Sequence, residues 1–147
     1  MTRSWLRATA VLWVLATLSS AVQGASGQAS AVAPATSPMY QDVYNGWKWW
    51  HVYCFRCHGV DAVGTTTAPN LTDPSLMLTR AKFLNIARTG IPETAMQGWS
   101  KLLDDKQLGQ IFLYVRARTD KVLPPGRPDE IGPNGGLWVV PAGWPKR

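Results

Sequence analysis

Residues 54–58 read Cys54-Phe55-Arg56-Cys57-His58, and this stretch decides how the rest of the chain is read. It uses both cysteines of the chain and one of its 2 histidines. A CxxC pair can be a thioredoxin-like redox site, but that reading needs a βαβ context, and no such pattern flanks it. It can be half of a zinc site, but zinc takes four ligands and there is no second cysteine pair. His51, on the same predicted helix, would be a poor fourth partner. The remaining reading is CxxCH as an attachment site for c-type haem. Two thiols three positions apart at a helix end can reach the two vinyl groups on one porphyrin edge. A histidine directly after the second thiol then lies under the ring and can ligate iron.

A haem iron held by His58 has a second axial position. Candidate ligands are Met39, Met77, Met96 and His51. Met39 opens the first predicted helix and His51 lies one helix segment before His58, so neither should reach the opposite face. Met77 precedes the second predicted helix. Met96 follows it, in the loop Gly90-Ile91-Pro92-Glu93-Thr94-Ala95-Met96-Gln97-Gly98-Trp99, which can fold back over a ring. Met96 is therefore the expected ligand. Trp99 is a candidate donor to a haem propionate.

The composition bounds the rest. The chain has 147 residues, a net charge of +6, 46% hydrophobic residues and 16% charged ones. Charged residues usually make up about 25%. Ample apolar content excludes a disordered chain. The length suits one domain. Two cysteines exclude a disulfide-dense scaffold and, alone, an iron–sulfur cluster. No nucleic-acid partner is expected, because basic charge alone is poor evidence for one.

The N-terminus carries Arg3 and Arg7 ahead of the apolar run Ala8–Leu18, with small residues after it. At ~1.5 Å per residue such a run spans about half of a ~30 Å hydrocarbon core. Residues 1–24 therefore read as a secretory signal, leaving no membrane span after cleavage, and the expected location is the periplasm. Residues 25–37 read as a flexible leader, 38–118 as the folded domain, and 119–147 as an irregular extension rich in Pro and Gly.

Three helices are legible, so the expected class is all-α. The first starts at Ser37-Pro38, a capping side chain followed by proline at the first helical position. Tyr40, Val43, Tyr44, Trp47 and Trp50 give it an apolar face. Gly46 inside that pattern costs ~1 kcal/mol relative to Ala, which signals close approach by another element. The second runs from about Thr79 to Thr89, with Phe83, Ile86 and Ala87 inward and Gly90 after it. The third runs from about Asp105 to Arg118. Asp104 and Gln107 form a capping-box pattern, and Leu108, Ile111, Phe112 and Val115 form its stripe.

From Pro38 to Arg118 the chain resembles a class I cytochrome c: helix, CxxCH, glycine-containing loop, proline, short helix, methionine loop, C-terminal helix. The resemblance implies three main helices around one covalent haem c. It implies that the Pro69 carbonyl accepts a hydrogen bond from His58, and that Gly46 and Trp50 cross the last helix at Ile111 and Tyr114. Many relatives follow the methionine with proline, where this chain has Gln97.

His/Met ligation leaves no open site on iron and raises its potential. The expected function is therefore single-electron carriage, not catalysis. The expected donor is a periplasmic dehydrogenase and the acceptor a terminal oxidase. The alternatives are a subunit held in a dehydrogenase or oxidase complex, and a haem sensor or enzyme with a displaceable sixth ligand. Lys48, Arg56, Arg80, Lys82, Arg88 and Lys101 are expected to form a weak positive ring toward an acidic partner. Val122–Pro128 resembles, at the level of composition, cytochromes serving quinoprotein alcohol dehydrogenases. On that likeness Trp138 or Trp144 is expected either to face a partner or to tie the tail to its own domain.

Overall fold

A computed structural model describes residues 37–145. The predicted signal peptide lies outside the described residues, as does all of the leader but Ser37. Four α-helices follow in order: α1 (Pro38–Tyr53), α2 (Phe55–His58), α3 (Arg80–Thr89) and α4 (Asp105–Thr119). Short 3-10 turns lie at Pro74–Leu76 and Pro133–Gly135. Among the described residues there is no strand, only one isolated antiparallel bridge, Gly90 to Gln97. No helix among them is long and apolar enough to cross a membrane.

The helix ends form where the sequence places them, because each capping side chain finds its orphan N–H. Ser37 Oγ accepts from the Tyr40 amide at 3.1 Å. Thr79 Oγ1 accepts from the Lys82 amide at 3.2 Å. Asp104 Oδ1 accepts from the Gln107 amide at 2.7 Å, while Gln107 Oε1 accepts from the Asp104 amide at 2.9 Å. The last pair is a complete capping box.

α1 and α4 cross at their backbones and make the core. A Cβ on Gly46 would run into the Gln110 carbonyl and the Ile111 amide. Trp50 packs on Tyr114 with ring centroids 5.8 Å apart. The anticipated stripe of α4 is buried, and so are Gln110, Tyr114 and Ala117. This helix is covered on more than one side: α3 adds Phe83 against Phe112 at 5.6 Å, and the C-terminal extension closes over its end. Gln110 is compatible with burial because its amide donates to Asp42 Oδ1 at 2.9 Å. On α3, Phe83 and Ala87 face inward as expected. Leu84 is buried with them, and Ile86 is only half-buried.

The apolar face read on α1 divides in two. Tyr40, Val43 and Trp50 belong to the core, whereas Tyr44 and Trp47 are half-buried. The extension meets those two: Tyr44 Oη donates to Asp129 Oδ2 at 3.3 Å, and the Arg127 guanidinium lies 5.4 Å from the Trp47 ring centroid. Between them Pro128 is fully buried.

Trp138 and Trp144 do not face outward. They are 5% and 9% exposed and meet edge to face at 6.1 Å. Trp138 Nε1 donates to the Val122 carbonyl at 2.8 Å, and Trp144 Nε1 to Asp120 Oδ2 at 2.9 Å. Of the two roles expected for them, the contacts fit the tie to their own domain. A buried indole needs both an apolar bed and an acceptor, and the end of α4 provides both.

Replacing Gly46 with Ala should destabilise the protein by about 2 kcal/mol or more, since backbone atoms cannot step aside. Gly109→Ala is the contrast. Its Cβ would meet only the Arg80 guanidinium tip at 3.1 Å, so the gain in helix propensity should make it neutral or stabilising. Urea unfolding of the two variants measures the difference.

Candidate haem attachment site

α1 does not run straight into the CxxCH stretch. It ends at Cys54, whose amide donates to the Trp50 carbonyl at 2.9 Å, and one tight turn, α2, follows. The turn is closed by His58 N–H to Cys54 O at 3.0 Å and Gly59 N–H to Phe55 O at 2.8 Å. Both thiols and the imidazole thus hang from one turn at the end of the core helix. Neither cysteine forms a disulfide; Cys54 is half-buried and Cys57 exposed. Burial, and secondarily the neighbouring Cys57, pushes the Cys54 thiol up to about 12. Redox-active CxxC pairs show the opposite, a thiol lowered toward neutrality.

His58 Nδ1 lies 3.1 Å from the Pro69 carbonyl oxygen. A carbonyl only accepts, so the ring proton sits on Nδ1, and Nε2 is left with a free lone pair and no protein partner among the described residues. A connected loop holds that carbonyl in place. Gly64 N–H donates to His58 O at 2.8 Å, Thr65 N–H to Ala68 O at 2.9 Å and Leu71 N–H to Ala62 O at 2.9 Å. Thr65 Oγ1 donates back to the Cys57 carbonyl. Gly64 has a φ of +81°, and a Cβ there would press on the Pro69 carbonyl carbon at 2.8 Å. The core supports the same loop from below. Trp50 Nε1 donates to Gly59 O at 2.9 Å, Tyr114 Oη to Val60 O at 3.0 Å, and Trp50 lies 5.9 Å from the His58 ring. Burial first, and the Asp61 charge second, raise the Tyr114 pKa, so its hydroxyl stays a donor.

The methionine candidates separate. Met96 is half-buried in the 90–99 loop, which is ordered by the Gly90–Gln97 bridge, by Ile91 N–H to Met96 O at 2.9 Å and by Trp99 N–H to Ala87 O at 2.8 Å. The bridge closes the loop at the position where many relatives carry proline. Trp99 reaches back to α1, its ring 5.5 Å from Tyr53. Met77 has a left-handed φ of +43° and is 78% exposed. It lines a cavity of 330 Å³ between the 71–79 segment and α4. Met39 packs on the core at the far end of α1. His51 Nδ1 lies 2.8 Å from the Trp47 carbonyl, and its ring packs between Trp47 and Phe55 at 4.5 and 5.8 Å.

Of the six cations expected to form a ring, three are engaged within the molecule. Arg88 pairs with Asp105 at 2.8 Å, Lys82 Nζ donates to Leu76 O at 2.9 Å and Lys48 lies over the Tyr44 ring at 5.2 Å. The Tyr114 and Arg118 contacts to the loop after His58 were not read from sequence. By position Arg118 only suits the C-terminal end of the helix dipole, and its burial depends on where the extension packs.

The family described as cytochrome c oxidase, cbb3-type, subunit III matches residues 41–115. The chain belongs to this family. It is a c-type cytochrome, and its cofactor is covalently bound haem c. The residues fit that group: two unpaired thiols at the required spacing, and a histidine whose remaining nitrogen is a free donor. Among solved structures it is similar to the c-type cytochrome XoxG from Methylobacterium extorquens AM1, with 29% identity and a TM-score of 0.54. That match covers 59% of this chain and 56% of the other, so the chain spans little more than half of that relative. It is also similar to cytochrome CL from Methylophaga aminisulfidivorans MPT, with 18% identity over 58% of this chain and 62% of that one, at a TM-score of 0.48. No curated protein matches the chain.

Gly64→Ala should displace the Pro69 carbonyl from His58 while leaving the helices in place. The expected result is a lower yield of haem-loaded cytochrome, with helical circular dichroism kept in the loaded fraction.

Proposed function

We propose that this cytochrome is a periplasmic carrier of single electrons, with His58 and Met96 as the axial ligands of its haem iron and thioethers to Cys54 and Cys57. The observation that carries the reading is the Nδ1 commitment of His58 to Pro69. It leaves Nε2 as a lone-pair donor beside the two thiols. Hydrogen bonding of this kind fixes a ligating imidazole and raises its basicity. The bound group supplies a reversible one-electron iron couple, and the protein's part is to hold both axial positions and keep water out.

Met96 is the chain's candidate for the sixth position because its loop is ordered and closed onto α3. With both positions filled, the protein presents no open site for substrate, so it is a carrier and not an enzyme. Export is supported by the signal-like residues 1–24 and by the attachment motif itself. The donor is a periplasmic dehydrogenase, of which a quinoprotein alcohol dehydrogenase is the favoured example, and the acceptor is an oxidase. A second reading, a subunit fixed in an oxidase complex, draws support from the matched family's description. The extension lends it no support, since its tryptophans are turned inward. Trp99 packs on Tyr53 at 5.5 Å and is the candidate donor to a propionate.

The protein should be matured in a periplasm with haem-attachment machinery. Its oxidised form should show the weak far-red charge-transfer band of thioether ligation. Met96→Ala should abolish the band and Met77→Ala should leave it intact. A wild-type protein that lacks the band, or whose reduced form readily binds carbon monoxide, contradicts the carrier reading and favours a sensor or enzyme.

A further inference from the structure

The C-terminal extension and α4 converge on one residue of the loop that follows His58. Asp61 Oδ1 lies 3.7 Å from Arg118 Nη2 and accepts from the Gly126 amide at 3.3 Å. Arg118 Nε also donates to the Asp61 carbonyl at 3.4 Å, and its Nη1 to the Leu123 carbonyl at 2.7 Å. The Arg118 side chain is only 9% exposed. A guanidinium buried to that degree has given up its water, so it stays only where its donors are spent on fixed acceptors. Here the acceptors belong to two different segments, the loop after the haem-binding histidine and the start of the extension.

From Asp61 the line to the imidazole is short. Ala62 is fully buried, and its carbonyl accepts the Leu71 amide at 2.9 Å. Leu71 stands two residues after Pro69, whose carbonyl takes the His58 Nδ1 proton at 3.1 Å. We propose that Arg118 is a positioning residue for His58: clamped by the extension, it fixes Asp61 and thereby the distance between the Pro69 carbonyl and His58 Nδ1. The extension then serves the haem iron from within the molecule. This rests on the reading of His58 as the iron ligand.

The consequence is electronic. A tight Nδ1–H to carbonyl bond makes the imidazole a stronger donor, which favours ferric iron. Slackening that bond favours ferrous iron and raises the potential.

The test uses the matured full-length protein. Wild type is first checked for a low-spin spectrum that is lost in His58→Ala, which decides the ligand reading independently. Arg118→Met, Arg118→Lys and Asp61→Asn are then compared with Arg116→Met. That last variant breaks the 2.8 Å pair with Asp120 on the same helix end, and among the described residues Arg116 makes no hydrogen bond to the loop after His58. Two quantities are read in each: the ferric-to-ferrous ratio at fixed electrode potential and the exchange rate of the His58 Nδ1 proton by NMR. Arg118→Met and Asp61→Asn should shift the ratio toward ferrous by about threefold to tenfold, where tenfold is about 59 mV for one electron. They should also speed the proton's exchange. Arg118→Lys should recover part of both, and Arg116→Met should lower stability without moving either. If Arg118→Met does not mature, Asp61→Asn carries the decision, because it keeps the shape of the side chain. Wild-type ratio and exchange in Asp61→Asn or Arg118→Met, or equal shifts in Arg116→Met, overturn the proposal.

Discussion

Everything in this structure hangs on the close crossing of α1 and α4. Gly46 has no side chain, so the backbone of one helix lies against the Gln110 carbonyl of the other. That contact brings Trp50 onto Tyr114, and these two side chains carry the next level of structure. Their N–H and O–H groups reach past the helices to the carbonyls of Gly59 and Val60. A buried polar group without a partner costs ~1–3 kcal/mol, so the loop is held where those donors need it. The helix crossing therefore reaches the loop beyond His58 through two hydrogen bonds.

The site inherits its order from that core. One turn displays two thiols and an imidazole, and the loop returns a carbonyl to Nδ1 of the ring. The protein does not need a rigid cage of regular structure for this. It needs a turn, a proline carbonyl and a glycine at positive φ. The methionine loop is built by the same economy. A ten-residue loop is closed by one bridge and a few backbone bonds, and it carries a half-buried methionine.

Much of this was legible in the residues. Ser37, Thr79 and Asp104 mark helix starts because their side chains satisfy amides within three positions, which is local chemistry. Gly46 was legible because a glycine in a helix interior asks for a neighbour. Other features were hidden because they depend on segments far apart in sequence. Arg118 becomes a buried tie only once the extension folds back beside Asp61. Tyr44 and Trp47 share the apolar face of α1, yet they also meet the extension, which no periodicity announces. For Trp138 and Trp144 the sequence left two roles open, a partner contact and a tie to their own domain. Their indole N–H groups found acceptors at Val122 and Asp120, a pairing set by a return path that a string of prolines and glycines does not announce.

In the proposed carrier, His58 and Met96 would both ligate the haem iron. Proton NMR of the reduced protein tests it most directly. A methionine methyl held over a porphyrin lies in the ring current and moves far upfield of every other resonance. Selective methyl labelling should give one such signal, assigned to Met96 by its disappearance in Met96→Leu, with Met39 and Met77 at ordinary shifts. A spectrum with no upfield methyl, or one whose upfield methyl belongs to Met77, would contradict the account.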